Sequence, residues 1–411
     1  MKNRNARFTT ILFALGWFVL LPKAQAAPET ALPGFNTAEG DHALFNITTG
    51  IANTAVGWFS LKSDIDGSFN TAVGAGTLLF NVGDQTTGEG LRNTAIGTAA
   101  LLSNTSGGNN TATGVLALFS NTTGSSNTAE GFRALELNTE GDQNTATGLD
   151  ALQSNTNGDV NTATGSQALG SNSTGRFNTA TGGSALRNNT TGNDNTANGV
   201  NALQSNTTGV ANTATGVSSL FGNTEGSNNT ANGVNALQNN TIGFDNTATG
   251  DQALTSNTQG NLNTAVGRNA LSSNTNGDRN TALGNEALRL NTTGSDNIAL
   301  GVGAGTSVTT SDNVICIGHP GANVDDSCFI GNICDTLVAP DASPVLIDSA
   351  GKLGTTSGSS RRFKNKIQRM EKASESIMGL RPVTFHYKTD KTNKTQFGLI
   401  AEEVAQVNPS W

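Results

Sequence analysis

The sequence is poor in the residues from which thick protein cores are built. Aromatic side chains make up 5% of the 411 residues, with a single Tyr, and hydrophobic residues reach 35%. Average domains are roughly 45–50% apolar on a count that includes glycine, and aromatic side chains supply much of the area that a core buries. This shortage excludes a conventional enzyme built around one deep apolar core.

Charge is also scarce, at 13% of residues against about 25% in an average domain. Residues 27–360 hold nine basic and 26 acidic side chains, whereas residues 361–411 hold ten basic and five acidic ones. The long part is too acidic for a nucleic-acid partner, and the short part lacks a basic run with interleaved aromatics. We therefore expect no nucleic-acid partner, and we place a domain boundary at the Gly/Ser/Thr-rich stretch 354–360.

Cysteine and histidine number three each, too few and too scattered for an evident metal site. Cys316, Cys328 and Cys334 are spaced 12 and 6 residues apart without a Cys-x-x-Cys motif, which argues against zinc. Their odd count leaves open one disulfide plus a free thiol. The nonapeptide of calcium-binding β-rolls is absent. We expect no metal and no cofactor.

Long apolar runs are absent except at the N-terminus. Three basic residues among the first seven precede the apolar run Phe8–Leu21, and Ala24–Ala26 then forms a small-x-small cleavage pattern. The run is shorter than the roughly 20 residues that a spanning helix needs. Residues 1–26 are therefore predicted to be a signal peptide, with an uncleaved membrane anchor as the alternative. The mature protein is expected to be secreted or at the cell surface, without a membrane span.

What is abundant is a repeat. Asn-Thr-Ala or a close variant opens a unit at Asn36 and recurs 16 times, ending with a degenerate copy at Asn313. Fourteen of the 16 intervals are 17 residues, and the exceptions are 23 after Asn70 and 16 after Asn297. A fixed period is typical of repeat architectures and argues against random low complexity. We predict a solenoid over residues 36–335, preceded by a spacer at 27–35.

The unit reads Asn-Thr-Ala-x-Gly-x-x-Ala-Leu-x-x-Asn-Thr-x-Gly-x-x, and its positions are numbered 1 to 17 below. It is too short for a helix pair, and two glycines in 17 residues oppose helix formation. We predict two short extended segments per coil, separated by turns in which glycine takes a positive φ. Coils stacked about 4.8 Å apart would form an all-β parallel solenoid, or β-roll, roughly 75–80 Å long.

The fixed positions have expected roles. Ala at position 3 and Ala-Leu at positions 8 and 9 give a thin core, so partner subunits are expected to bury more of the Leu row. Asn at positions 1 and 12 is expected to stack into amide ladders, as polar side chains do in cross-β arrays, and not to bind ligands. Variable positions should face outward, and no binding patch is singled out. The insertion between Phe80 and Arg92 is expected to be an exposed loop.

The repeat unit, as in Asn178–Leu186, resembles the head repeats of trimeric autotransporter adhesins. The resemblance covers about residues 36–335 and implies a parallel β-roll that assembles as a homotrimer. The unit is a few residues longer than the usual adhesin coil, so handedness and packing between subunits do not carry over.

Three ordered blocks at residues 359–367, 380–388 and 397–409 resemble the C-terminal intramolecular chaperone of phage tailspikes and tail fibres, the endosialidase-type self-cleaving serine peptidase family. The resemblance implies a small α+β domain over residues 359–411 that trimerises the fibre, joined to the solenoid by a linker at 336–358. The family normally continues into long terminal helices, so the domain is expected to be incomplete here.

The local pattern of this C-terminal segment predicts three elements. They are a helix near Arg369–Met378, a strand near Val383–Tyr387 and a helix that opens at Ala401.

In that family the chaperone cuts itself off with a Ser and a Lys five residues apart. Ser359 and Lys364 match those positions, which implies a cut between Gly358 and Ser359. A Ser hydroxyl needs a base to take its proton, and a Lys can serve when neighbouring cations or burial lower its pKa. Arg361 and Arg362 are the expected supporting cations.

One residue departs from the family pattern, because Ser360 stands where an Asp usually follows the nucleophile. The alternative interpretation is that residues 359–364 are only a surface linker. Enzymatic activity is therefore expected to be at most a single autoproteolytic turnover, with no external substrate.

Two functions remain open from the sequence. The first is an exported, trimeric surface or shaft protein, adhesin-like or tail-fibre-like, with a cell-surface or extracellular-matrix ligand. The second is a solenoid that binds ice or another regular surface through ranks of Thr. Thr occupies position 2 in 15 of the first 16 units but position 4 in only six, where Glu130, Asn198 and Val266 interrupt it.

Overall fold

The structure, a computed structural model, describes residues 34–333, 345–347, 353–355, 378–386 and 395–407. The chain divides into two compact units, Met1–Asp335 and Thr336–Trp411. The predicted signal peptide lies outside the described residues.

The first unit is built on one sheet of 18 parallel strands, each three residues long. Each strand pairs in register with the next strand along the chain, as Thr196 does with Thr213. The predicted all-β parallel solenoid is confirmed, and 17 steps of about 4.8 Å give a sheet roughly 80 Å long. The strands are β1 (Thr37–Glu39), β2 (Thr54–Val56), β3 (Thr71–Val73), β4 (Thr94–Ile96), β5 (Thr111–Thr113), β6 (Thr128–Glu130), β7 (Thr145–Thr147), β8 (Thr162–Thr164), β9 (Thr179–Thr181), β10 (Thr196–Asn198), β11 (Thr213–Thr215), β12 (Thr230–Asn232), β13 (Thr247–Thr249), β14 (Thr264–Val266), β15 (Thr281–Leu283), β16 (Ile298–Leu300), β17 (Ile315–Ile317) and β18 (Cys328–Ile330).

Each coil contains one strand, not the two extended segments that the sequence predicts. Turns and bends make up the rest of the coil, yet they also hydrogen-bond from coil to coil. The N–H of Leu203 donates to the carbonyl of Ser219 at 2.9 Å, and that of Thr207 donates to Thr224 at 2.9 Å. Turns at equivalent positions of successive coils stack as well as strands do, so a second strand is not needed to satisfy the backbone.

The core is made by three small or medium side chains per coil. Ala197 in the strand and Ala202 and Leu203 after it have no exposed surface, and the same holds for most coils. The expectation that partner subunits bury more of the Leu row is therefore wrong, because one chain buries that row completely. Where position 8 is polar it is paired, as in the hydrogen bond of 2.9 Å between the hydroxyls of Ser60 and Thr77.

The two glycines of a coil serve different purposes. Gly199 at position 5 has a φ of 144°, as the prediction of glycine at positive φ requires. Gly209 at position 15 has no such φ. A Cβ there would lie 2.4 Å from both Asn206 Oδ1 and the Gly226 carbonyl oxygen, so this glycine is needed for space.

Residues other than glycine occupy the left-handed turns of the coil. Positions 7, 9 and 17 all have a φ near 50–60°, as in Asn201 at 58°, Leu203 at 50° and Ala211 at 56°. A left-handed conformation costs an ordinary residue about 1–2 kcal/mol. The complete burial of the Leu side chain and the hydrogen bonds between coils offset this strain.

The structure corrects the last repeat boundary. Ile315 pairs with Ile298, and the N–H of Val314 donates to Asn297 Oδ1 at 2.8 Å. Val314 therefore takes position 1, the interval after Asn297 is 17 residues, and Asn313 closes the preceding coil with a φ of 55°.

The insertion in the 23-residue unit forms an exposed loop, as expected. Residues 85–89 are exposed, and the N–H of Asp84 donates to the Glu89 carbonyl at 2.9 Å across the base of the loop. Gln85 Nε2 donates to the Thr49 carbonyl at 3.2 Å, so the loop contacts the first coil.

The second unit contains two antiparallel strand pairs and one short helix in its described part. The predicted strand and the helix at Ala401 are confirmed, whereas the predicted helix near Arg369–Met378 lies outside the described residues except for its last residue. The elements are β19 (Val345–Ile347) paired with β20 (Leu353–Thr355), β21 (Val383–Phe385) paired with β22 (Gln396–Gly398), and α1 (Ala401–Val407).

Candidate functional sites

The position-1 asparagines form a buried ladder along the solenoid. The backbone N–H of Asn212 donates to Asn195 Oδ1 at 3.0 Å. The side-chain Nδ2 of Asn212 donates to the same oxygen at 3.1 Å and to the Gly226 carbonyl at 2.8 Å. Each amide thus joins two coils and a turn, and it has no exposed surface. The predicted structural role is confirmed.

A second ladder runs through the position-12 asparagines. Asn206 Nδ2 donates to Asn189 Oδ1 at 2.7 Å and to the Gly209 carbonyl at 3.0 Å. The ladder ends where Val308 replaces the amide, and the buried Oδ1 of Asn291 has no hydrogen-bond partner. Burial also closes the Asn-Thr-Thr sequons that begin at position 12, such as the one at Asn206, to glycosylation in the folded coil.

The second ladder begins at a carboxylate. Asp64 occupies position 12 of its coil, is fully buried, and accepts the N–H groups of Gly67 at 3.0 Å and Gly83 at 3.2 Å. Burial raises its pKa to about 6, although these hydrogen bonds and those from Asn70 and Asn81 oppose the rise. Because no substrate reaches a fully buried group, the carboxylate serves as an acceptor for the fold.

The outward face of the sheet presents positions 2 and 4 in two parallel rows. In eight of the 18 strands both of these residues are exposed while the residue between them is buried. Strands β7, β8 and β9 carry Thr in both rows, so six hydroxyl side chains form an uninterrupted array there.

Near the C-terminal end of the solenoid the same two rows become aliphatic. The sequence analysis singled out no patch, yet comparison of equivalent positions would have found this change from Thr to Ile or Leu. Seven side chains, each more than a third exposed, form what we name the aliphatic patch: Leu283, Ile298, Leu300, Ile315, Ile317 and Ile330 in the two rows, and Val302 at position 6 beside them.

An aromatic cluster lies on the first two coils. The rings of Trp58 and Phe59 stack at 4.0 Å, and His42 contacts Phe59 edge-on at 5.1 Å and Phe45 at 4.9 Å. Lys62 Nζ lies 4.1 Å from the centre of the Phe59 ring. Ring stacking and a cation–π contact account for this arrangement.

Cysteine and histidine do not form a joint site in the described part of the chain. Cys316 is buried and Cys328 is exposed, and neither is in a disulfide. Burial raises the pKa of the Cys316 thiol, which opposes reactivity. Cys334 lies outside the described residues. His319 stacks on Phe329 at 5.5 Å, and the described ranges hold no group of three or more ligands that could bind a metal.

The predicted self-cleavage site lies outside the described residues. This applies to Gly358, Ser359, Arg361, Arg362 and Lys364 alike. In the searched ranges of the chain, no helix is long and apolar enough to cross a membrane.

In the described part of the second unit, an ion pair joins the segment just before β21 to helix α1. Arg381 Nη2 donates to Glu403 Oε1 at 2.6 Å and its Nε donates to Oε2 at 3.3 Å. Both side chains are at least partly exposed to solvent. This bidentate ion pair therefore orients the two segments more than it adds stability. The pair borders an open groove of about 410 Å³ whose lining contains no Ser, Cys, Lys or His: Gly379, Leu380, Arg381, Leu399, Ile400, Glu403, Val404, Gln406 and Val407.

The geometry defines a parallel β-solenoid with buried amide ladders, followed by a small, separate C-terminal unit. Residues 359–411 match the model of a family described as chaperone of endosialidase. The match confirms the resemblance that the three C-terminal sequence blocks indicated. No curated protein matches the chain.

Proposed function

We propose that the chain is an exported fibrous shaft or surface protein, adhesin-like or tail-fibre-like, whose C-terminal domain assists the assembly of a homotrimer. The match of residues 359–411 to a chaperone of endosialidase carries this proposal. The rigid solenoid that precedes the match supports it, because a stack of 18 short strands is suited to a shaft. Residues 1–26 would direct export, and the ligand would be a cell-surface or extracellular-matrix molecule.

The proposal includes release of the chaperone by a Ser/Lys dyad. Lys364, neutral because Arg361 and Arg362 lower its pKa, would take the proton of Ser359. The Ser359 oxygen would then attack the carbonyl carbon of Gly358, and Lys364 would return its proton to the Ser359 nitrogen as the peptide bond breaks, which leaves an ester and a free amine. Water would hydrolyse that ester, separating residues 27–358 from 359–411.

The test is expression of residues 27–411 beside Ser359→Ala and Lys364→Ala. The parent should lose roughly 5–6 kDa, in proportion to 42.0 kDa for 411 residues, whereas both variants should stay intact. Light scattering should give the molar mass of a trimer for all three proteins, since assembly precedes cleavage.

Ser360→Ala is the matched control, because it removes the neighbouring hydroxyl and should leave cleavage unchanged. An intact parent that is still trimeric would remove the dyad from the proposal and keep the chaperone. A monomeric parent would overturn the assembly role.

A second function is tested because the Thr array of β7, β8 and β9 is in register, and all of its side chains but the half-buried Thr147 are exposed. In this alternative proposal the solenoid binds ice or another regular surface. Thr164→Lys, at the centre of the array, should abolish thermal hysteresis if such binding occurs. Asn198→Lys in the same row, where the array is already interrupted, is the control, and no hysteresis in the parent would reject ice as the surface.

A further inference from the structure

We propose that the aliphatic patch is a contact surface between copies of this chain, so that the last coils of the solenoids pack on one another. The inference rests on the trimer of the proposed function and adds to it a defined surface outside the C-terminal domain.

The first argument is the position of the change in side-chain type. From β5 to β13, position 2 is always Thr, and position 4 is Thr, Asn or Glu. Position 4 is also aliphatic near the N-terminal end, at Val56, Val73 and Ile96, but position 2 remains Thr there. Only β16 and β17 are aliphatic in both rows, with β18 adding Cys328 and Ile330.

The second argument is the exposed apolar surface. Within a row, the aliphatic residues lie next to one another on neighbouring strands. The seven members of the patch nevertheless keep 37–80% of their surface exposed. Monomeric proteins rarely leave a contiguous apolar patch larger than a few hundred Å² open to water. Parallel sheets are usually covered on both faces, and the solenoid covers only the inner one.

The third argument is charge, and it favours a second copy of the chain as the occupant. Residues 27–360 carry 26 acidic against nine basic side chains, so two solenoids repel each other over most of their surface. The two rows contain no charged residue from β14 to β18. Identical chains can therefore meet at this patch without bringing like charges into contact.

The fourth argument is the place of the patch in the chain. Fewer than 30 residues separate Ile330 from Ser359, where the chaperone match begins. Chains held together at residues 359–411 would keep their last coils at a high effective concentration. A weak apolar contact would then form at these coils before it formed anywhere else on the solenoid.

The experiment uses residues 27–411 with Cys334→Ser, so that the exposed Cys328 at the edge of the patch is the reactive thiol and the buried Cys316 is not. The triple variant Ile298→Thr, Leu300→Thr, Ile315→Thr gives these rows the residue that they carry upstream, which the coil already accommodates. The control is Val73→Thr with Ile96→Thr, at the other end of the same sheet. Molar mass over a dilution series and the rate of maleimide modification of Cys328 are measured for each protein.

We expect the parent and the control to be oligomers in which Cys328 reacts about tenfold more slowly than in the triple variant, which should also dissociate at a higher concentration. An oligomeric parent with an unprotected Cys328 and an unchanged triple variant would overturn the patch and leave the proposed trimer standing. Protection in a monomeric parent would show that the chain covers its own patch, and a monomer without protection would overturn the trimer as well.

Discussion

A ladder asparagine bonds to the coil before it, the coil after it and a turn of its own coil. Asn195 Oδ1 accepts two N–H groups from Asn212, while its Nδ2 donates to the Gly209 carbonyl at 2.8 Å and to Asn178 Oδ1 at 3.2 Å. Only a side chain with both an acceptor and two donors at this length can do so. This requirement explains why the repeat keeps Asn at position 1 from Asn36 to Asn297.

Replacement of one such residue should be costly. Asn195→Ala leaves the backbone N–H of Asn212 without its acceptor inside the solenoid, and a buried orphan of this kind costs about 1–3 kcal/mol. The Gly209 carbonyl loses one of its two donors and keeps Asn206 Nδ2 at 3.0 Å. We expect the free energy of unfolding to fall by about 2 kcal/mol, measured by urea denaturation. Asn198→Ala, an exposed Asn in the same coil, should change it by less than about 0.5 kcal/mol. Equal effects of the two substitutions would contradict the ladder's role.

Asp64 makes the stability of the second coil depend on pH. Its pKa is raised in the folded state from 3.8 to about 6, so between these values the folded chain holds a proton that the unfolded chain has lost. The stability contributed by this group is therefore fully present below about pH 4, falls as pH rises to about 6, and stays lower above that. The loss amounts to about 3 kcal/mol.

Asp64→Asn removes this penalty and restores the residue that position 12 carries in later coils. The stability of the variant relative to the parent should increase by up to about 3 kcal/mol between pH 4 and pH 8. The pH dependence that comes from the other carboxylates is the same in both proteins and cancels in this difference. Trp58 fluorescence during denaturation of residues 27–411 reports on this coil in a Trp411→Phe background, which removes the other Trp of these residues. A difference that does not change with pH would show that the carboxylate is not desolvated as its burial implies.

At the level of the coil, adjacent glycines provide a direct comparison. Gly182 at position 5 has a φ of 129°, and a Cβ there would lie 2.6 Å from the Gly199 carbonyl oxygen. Gly183 would direct a Cβ into open space and has no positive φ.

Gly182→Ala should therefore destabilise the solenoid by several kcal/mol through strain and collision, whereas Gly183→Ala should be neutral or slightly stabilising. Melting temperatures by circular dichroism test the pair. If both substitutions were tolerated, the close approach of the backbone at position 5 of successive coils would not restrict that position to glycine.

The element scale also shows what the sequence could and could not predict. The period, the burial of Ala and Leu and the Asn ladders follow from fixed positions such as Asn195 and Leu203, because a residue that recurs in every coil contacts its own copies. The single strand per coil and the left-handed Leu203 do not follow, since Leu has no intrinsic preference for a positive φ. Stacked turns impose that conformation, and only the packed coil reveals it. The catalytic pair Ser359 and Lys364 remains a prediction from resemblance.

At the scale of the whole solenoid, stability should be nearly additive along the stack, because each coil outside the insertion loop contacts its immediate neighbours. Every strand pairs with the strand 17 residues away in the regular part, with Thr opposite Thr and Ala opposite Ala. The 23-residue unit retains this register by projecting its extra residues outward as a loop. The stack therefore tolerates changes in length that leave each strand and its ladder amides in place.

Deletion of Asn178–Asp194, one full coil, should preserve the fold, since β10 would then pair with β8 and Asn195 would stack on Asn161. We expect unchanged circular dichroism per residue and a denaturant m-value lower by about one part in eighteen, because m scales with the surface exposed on unfolding. Deletion of any other 17-residue window in this region, such as residues 185–201, should behave alike.

Deletion of Asn178–Asn198 also removes β10 and leaves a 13-residue coil with no strand and no position-1 Asn, so β8 and β11 face a gap between them. That variant should unfold at a markedly lower temperature, and equal stability of the 17- and 21-residue deletions would show that register between coils does not hold the solenoid together.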